Sequence, residues 1–108
     1  MFVIVSRFFL RKRFTGMAIW PFVFVRTAQM KRDTVFMNHE KIHLRQQLEL
    51  LIVPFFIWYI IEFLVHWIRY KNRYDAYRSI SFEKEAYENE KDLDYLKKRS
   101  FLAFIKYV

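Results

Sequence analysis

Two histidines and a glutamate in the first half of the chain have the spacing of a metal-binding motif. His39, Glu40 and His43 form the pattern HExxH. On a helix, residues four apart lie on one face, about one turn from each other, so both imidazoles can bind one Zn²⁺. Glu40 can then take a proton from a water at the metal, as a general base. The motif predicts a hydrolytic zinc site, provided that the chain supplies a third ligand.

The third ligand has to come from a histidine or an acidic residue, because the chain has no cysteine. The acidic segment Ser81-Phe82-Glu83-Lys84-Glu85-Ala86-Tyr87 offers two candidates, Glu83 and Glu85. His66 is a further candidate, but it follows Glu62 by one turn in an apolar stretch, which favours a hydrogen bond between those two. Gln46 and Gln47 are interpreted as part of a polar helix face rather than as substrate contacts.

The two segments together resemble the gluzincin metallopeptidases, in which HExxH is followed by a glutamate ligand on a later helix. In that family the glutamate commonly lies in an ExxAD-like or ExxSD-like context, and Glu83 with Ala86 matches its first part. The resemblance implies that Glu83 is the third ligand, with Glu85 as the alternative. It covers roughly residues 36–47 and 81–90.

The same resemblance bears on the groups around the ligands. Tyr87 stands where the family has an aspartate that orients a zinc-binding histidine. Tyr87 is therefore a candidate for orienting a ligand or stabilising an oxyanion. Asn89, one turn after Glu85, is a second candidate for such a supporting role. The chain is also similar to short uncharacterised bacterial proteins that pair HExxH with an EAYxNE string, and neither resemblance indicates a substrate.

Composition limits the class of protein. With 108 residues, the chain is expected to form one minimal zincin-like domain over 1–108. A hydrophobic content of 55% excludes disorder, and the net charge of +8 is concentrated at the front. Up to residue 32 there are no acids, and the basic residues there are Arg7, Arg11, Lys12, Arg13, Arg26, Lys31 and Arg32. This front favours an anionic membrane surface over nucleic acid as a partner, because no nucleic-acid module is present.

Periodicity predicts an α+β fold that is mostly helical. Residues 1–33 contain the basic front and two apolar runs, 2–10 and 17–27, which we expect to pair as a β-hairpin or to form a small sheet, with a buried pair of short helices as the alternative. Residues 34–71 are expected to form the HExxH helix and a long apolar helix kinked near Pro54. Residues 79–108 are expected to form an amphipathic acidic helix and an apolar tail that docks on the rest. The apolar stripe of this helix is expected to consist of Phe82, Ala86, Leu93 and Leu96. Asp33, Thr34 or Asn38 could cap the HExxH helix.

The apolar stretch 50–68 conflicts with the proposed zinc site if it spans a bilayer. A single helix of that length is about 30 Å long and would separate HExxH from Glu83. The conflict disappears if the stretch kinks at Pro54 and forms the core, lies shallowly in one leaflet, or packs on a second copy. We favour a membrane-associated domain that does not span. No signal peptide is recognisable, so a cytoplasmic or cytoplasmic-membrane location is expected.

Two functions follow from these patterns. The first is a zinc metallopeptidase with one Zn²⁺ per chain, acting on a peptide or protein substrate, alone or as a homo-oligomer. The alternative is a non-catalytic, membrane-associated or partner-binding module that uses the aromatic helix 50–68. Whether the zinc is catalytic or structural is left open by the residues alone.

Overall fold

The computed structural model describes residues 1–5 and 16–108, so Arg7, Arg11, Lys12 and Arg13 of the basic front lie outside the described residues. Three strands, β1 (Phe2–Val5), β2 (Gly16–Ile19) and β3 (Phe22–Val25), form one sheet in the order β1-β3-β2. Helices dominate the remainder, which confirms an α+β fold that is mostly helical.

The strand pairing differs from the predicted hairpin. The antiparallel pair is β2 with β3, both inside the second apolar run, and β1 pairs in parallel with β3. The second run folds back at Trp20 and Pro21, and proline lacks the N–H that a central strand position requires. The small N-terminal sheet, predicted as the alternative to a hairpin, is confirmed. Pairing of runs 2–10 and 17–27 as one hairpin is wrong for the described residues, because β1 runs parallel to β3, and Pro21 was the signal against it.

The helical part of the chain begins with a 3₁₀ helix and continues through five α-helices to a second 3₁₀ helix. In chain order, these are Ala28–Arg32 (3₁₀), α1 (Thr34–Glu49), α2 (Val53–Tyr70), α3 (Arg73–Ser79), α4 (Ser81–Asn89), α5 (Tyr95–Lys98) and Ala103–Tyr107 (3₁₀).

Helix α1 begins at an aspartate cap and packs on the sheet. The side chain of Asp33 accepts a hydrogen bond from the Phe36 N–H at 3.0 Å, so Asp33 is the cap among the three predicted candidates. Met37 and Leu44 of α1 are buried with Ala18, Val23 and Val25 of the sheet. This packing fixes which face of α1 points away from the sheet.

Helices α1 and α2 are separated by a sharp corner at residues 50–52. The two helix axes differ by 113°. Leu51 and Ile52 both have positive φ angles, 61° and 67°. Ile52 is β-branched, and such a residue adopts a positive φ only at a cost of about 1–3 kcal/mol. Pro54 lies in the first turn of α2, where its missing N–H is not needed. Of the described residues, no single helix is long and apolar enough to cross a bilayer, and only the bent pair α1–α2 meets that criterion together.

The second buried cluster joins α2 to the C-terminal third of the chain. It consists of Phe55, Ile80, Phe82 and Phe104. Phe55 is the one fully buried residue of α2, and the partly buried Phe56, Tyr59 and Phe63 pack against the cluster, so one side of the apolar stretch contributes to the core. The apolar tail docks as predicted, with the Phe104 ring 4.6 Å from that of Phe82.

Helix α4 is shorter than the predicted apolar stripe. Phe82 and Ala86 are buried as expected, but the helix ends at Asn89 and Leu93 is 55% exposed. The Asn38 side-chain amide donates to the backbone carbonyls of Glu90 and Asp92 at 2.8 and 2.9 Å. These carbonyls lie just beyond the end of α4, so Asn38 ties that end to α1 instead of capping its own helix.

Candidate metal centre

Three side chains from two helices converge on one point. The Nε2 atoms of His39 and His43, one turn apart on α1, are 3.1 Å from each other. Oε1 of Glu83, near the start of α4, lies 3.2 Å from His39 Nε2 and 2.9 Å from His43 Nε2. All three residues are buried, and together they could hold a metal ion.

The other ring nitrogen of His43 is fixed by Gln46. Nδ1 of His43 lies 2.8 Å from Oε1 of Gln46. The amide of Gln46 donates in the other direction, to the Phe82 carbonyl at 3.1 Å and to Oε1 of Glu85 at 2.9 Å. The orientation of the amide is therefore set by two acceptors, and Nδ1 of His43 must carry the proton. This leaves the Nε2 lone pair of His43 facing Glu83.

His39 is held in the same tautomer by a carboxylate. Its Nδ1 lies 2.7 Å from Oε2 of Glu90, and a carboxylate can only accept. Its Nε2 lone pair therefore also points to the centre. A carboxylate or amide on the far nitrogen is the usual arrangement for a metal-binding histidine, because it fixes the ring and makes the nitrogen more basic.

The centre consequently joins three hydrogen-bond acceptors. Such a buried group needs either a cation or added protons. Without a metal, burial alone would lower the pKa of His43, but the Glu83 carboxylate outweighs it and raises this pKa to about 9. Burial would raise the pKa of Glu83, and the positive charge on His43 lowers it well below its usual range. The electrostatics of the site thus favour a positive charge between these groups.

Tyr59 of α2 completes the support of Glu83. Its hydroxyl donates to Oε2 of Glu83 at 2.7 Å, which leaves Oε1 for the two histidines. Burial and the nearby carboxylate raise the pKa of Tyr59, so the hydroxyl keeps its proton and remains a donor. Through this bond α2 positions Glu83, the candidate third ligand.

Glu40 lies next to the centre and is free of hydrogen bonds to described residues. Its side chain is buried, with 6% of the residue exposed. Burial raises its pKa, and the nearby histidines oppose that rise. A buried carboxylate with a raised pKa and no fixed partner has the properties of a proton acceptor.

Glu85 does not join the three converging residues. Its carboxylate accepts from the Arg99 guanidinium and from the Tyr95 hydroxyl, the latter at 2.6 Å. Burial would raise the pKa of Glu85, but these hydrogen bonds lower it. Of the two candidate third ligands, the structure brings only Glu83 to the histidines.

Tyr87 and Asn89, the two residues predicted for supporting roles, lie near the site in different ways. The Tyr87 ring packs against the His39 ring, with centroids 4.5 Å apart, and its hydroxyl lies 2.8 Å from that of Tyr77. Asn89 donates to the Glu85 carbonyl and the Tyr107 hydroxyl and contacts neither histidine. In the family pattern an aspartate at position 87 would hydrogen-bond to one of the histidines. In this chain Glu90, three residues later, makes such a hydrogen bond to Nδ1 of His39.

Two further predictions around the site were wrong. The Glu62 carboxylate accepts from the backbone N–H and hydroxyl of Ser81, while His66 Nε2 is 3.8 Å away, beyond hydrogen-bond distance. Glu62 thus stabilises the first turn of α4, two residues before Glu83.

Gln47 is buried instead of lying on an exposed polar helix face. Its side-chain amide donates to the Ala18 carbonyl at 2.8 Å and accepts from the Trp20 N–H at 2.6 Å. It covers part of the free edge of β2.

Sequence reasoning missed Glu90, Gln46 and Tyr59 as members of the site. Gln46 had a signal, because it is polar and lies one turn after His43 on α1. Glu90 had no local signal, because its contact with His39 spans 51 positions. Tyr59 had none, because its contact with Glu83 depends on how α2 packs.

Comparison of the chain with models of protein families, with curated proteins and with solved structures gives no match.

Proposed function

We propose that this protein is a zinc-dependent metallopeptidase of the gluzincin type, in which His39, His43 and Glu83 hold one Zn²⁺ per chain. The observation that carries the proposal is the fixed tautomer of both histidines. With Nδ1 of each ring donating to Glu90 or Gln46, both Nε2 lone pairs and a carboxylate oxygen face one point. Such a donor set is suited to a divalent cation.

The spacing of the three atoms supports zinc as that cation. Ligand bonds of about 2.0–2.1 Å in a tetrahedron place neighbouring ligand atoms about 3.3 Å apart. The three measured separations are 2.9, 3.1 and 3.2 Å. A small outward movement of the side chains would accommodate the ion, and three protein ligands leave one position for water.

The proposed reaction is hydrolysis of a peptide bond. Zinc in such a site would polarise the carbonyl of the peptide bond that is cleaved and lower the pKa of a bound water to about 7. Glu40 takes the proton of the attacking water and later delivers it to the leaving amine. The raised pKa of Glu40 brings this carboxyl closer to neutral pH, where it can serve both steps.

Tyr87 and Tyr77 are the proposed donors for the oxyanion that forms on the carbonyl. Their hydroxyls are 2.8 Å apart, and the Tyr87 ring rests on His39. Burial raises the pKa of both tyrosines, so both hydroxyls stay protonated at neutral pH and can donate.

The first test is metal content by elemental analysis of wild type, His39→Ala, Glu83→Gln and Glu85→Gln. The proposal expects about one zinc per wild-type chain. It further expects loss of zinc in His39→Ala and Glu83→Gln, and retention in Glu85→Gln, which is the matched control because the two glutamates are both buried on α4. Wild type without zinc after reconstitution would overturn the proposal. Iron in place of zinc would point to oxidative chemistry of a two-histidine, one-carboxylate site.

The second test separates catalysis from a structural role of the metal. Glu40→Gln should keep its zinc and lose cleavage of a peptide library by a factor of at least about 100. Cleavage at the wild-type rate would remove Glu40 from the mechanism. A protein that binds zinc and cleaves nothing would favour the non-catalytic module, for which the exposed apolar face of α2 is the specific support.

A further inference from the structure

Helix α2 has an unusually large exposed apolar surface. Phe55 is its one fully buried residue. The exposed apolar residues, which we call the outer face, are 38–79% exposed and comprise Val53, Ile57, Trp58, Ile60, Ile61, Leu64, Val65, Trp67 and Ile68. A soluble monomer rarely exposes a continuous apolar surface of this extent.

The polarity of α2 is inverted relative to a helix of a soluble domain. At about 100° per residue, the outer face covers roughly half of the helix circumference. The polar side chains point the other way: Glu62 accepts hydrogen bonds from Ser81, and Tyr59 donates to Glu83. An ordinary amphipathic helix points its apolar side to the protein and its charges to water. Here the apolar side is the one left outside.

Charge and aromatic residues around the outer face indicate what covers it. No charged residue lies on it between Val53 and Ile68, and the exposed Arg69, Lys71 and Arg73 follow directly. The chain as a whole carries +8. Trp58 and Trp67, both on the outer face, are 38% and 42% exposed. Tryptophan and basic residues beside an apolar surface are typical of the boundary between lipid and water.

We propose that the outer face of α2 lies in the plane of an anionic lipid bilayer and inserts into one leaflet. The helix is about 27 Å long and has no charge on the inserted side, so it can lie flat at the level of the headgroups. The basic residues after it then contact lipid phosphates. A second copy of the chain fits the same face less well, because two chains that each carry a net charge of +8 repel each other.

This orientation has a consequence for the metal centre, although the proposal does not depend on the metal. Tyr59 binds Glu83 from the side of α2 opposite the outer face. One helix diameter, about 10 Å, therefore separates the centre from the lipid. Docking would bring the three ligand residues close to the membrane surface.

The experiment is co-sedimentation of the full chain with vesicles of phosphatidylcholine mixed with phosphatidylglycerol, and with vesicles of phosphatidylcholine alone. The test variant is Ile60→Gln, which removes an apolar side chain from the outer face without changing the net charge. The matched control is Leu93→Gln, because Leu93 is as exposed as Ile60, 55% against 56%, and lies outside α2. Thermal unfolding of both variants verifies that the fold is unchanged.

We expect wild type to bind the mixed vesicles more strongly than the neutral ones. Ile60→Gln should weaken the binding about tenfold, and Leu93→Gln should leave it unchanged. Absence of binding to either vesicle would overturn the proposal. Equal binding by wild type and Ile60→Gln would also overturn it, because the attraction would then be one of charge alone. A dimer that forms without vesicles in analytical ultracentrifugation, and that Ile60→Gln dissociates, would overturn the proposal as well. In that case a second copy of the chain would cover the outer face.

Discussion

The surroundings of Glu83 and Glu85 differ in where the compensating positive charge comes from. Both glutamates are buried on α4 and both have lowered pKa values. Glu85 is paired with Arg99, which the chain itself supplies. Glu83 faces two imidazoles whose other nitrogens are already donating. One carboxylate is therefore satisfied by a fixed cation, and the other lies where a cation can be bound.

This difference explains why two glutamates so close in sequence have different tasks. Buried charges in proteins are paired or coordinate metals, because an isolated one is too costly. The Glu85 group, which includes Arg99, Glu49 and Tyr95, ties the C-terminal segment to α1 and α4. Gln46 links the two groups, since its amide contacts both His43 and Glu85. The ion-pair group is thus a rigid support for the candidate metal centre.

The largest effect is expected from Arg99→Met. The Arg99 side chain is fully buried between Glu85 and Glu49, so its loss leaves two buried carboxylates without a cation. The free energy of unfolding should fall by about 3–5 kcal/mol, measured by urea denaturation. Lys97→Met, in the last turn of α5 two residues before Arg99, is the control and should change it by less than about 0.5 kcal/mol, because Lys97 is exposed. Near-wild-type stability of Arg99→Met would show that Glu85 is not held by this pair.

A smaller effect is expected when the support of His39 is removed. Glu90→Gln weakens the hydrogen bond to Nδ1 and no longer favours one tautomer, so zinc affinity should fall about 10–100-fold. Competition with a chromophoric chelator measures this change. Glu88→Gln, at an exposed position on α4, should bind zinc like wild type. An unchanged affinity of Glu90→Gln would mean that His39 is oriented by packing against Tyr87 instead.

The smallest effect is expected on the free energy of unfolding at acidic pH. The folded-state pKa of Glu85 lies below its ordinary value of 4.5, so its ionised form stabilises the fold above about pH 4.5. This stabilisation is lost as the pH falls through the folded-state pKa, and each unit of lowering corresponds to about 1.4 kcal/mol. In Glu85→Gln the unfolding free energy should vary less with pH below 4.5 than in wild type. Parallel pH profiles of the two proteins would contradict the assigned role of the Arg99 pair.

Much of the candidate site was predictable because it depends on local geometry. The spacing of His39 and His43 places them on one face of any helix, and Asp33 is a cap wherever that helix begins. Glu83 was selected by its likeness to a family pattern, and the structure brings it to the two histidines. The docked tail followed from its composition. These features need only the period of a helix and the burial of apolar residues.

The remaining features depend on contacts between residues far apart in the chain. Glu90 reaches His39 across 51 positions and Tyr59 reaches Glu83 across 24, and no local period indicates either pair. The parallel pairing of β1 with β3 is likewise non-local. The sequence by itself determined the two histidines on one face of α1, Glu40 beside them and the apolar character of α2. Tertiary structure decided which glutamate meets them and which side of α2 stays exposed, because packing sets the relative position of helices that sequence defines only one at a time.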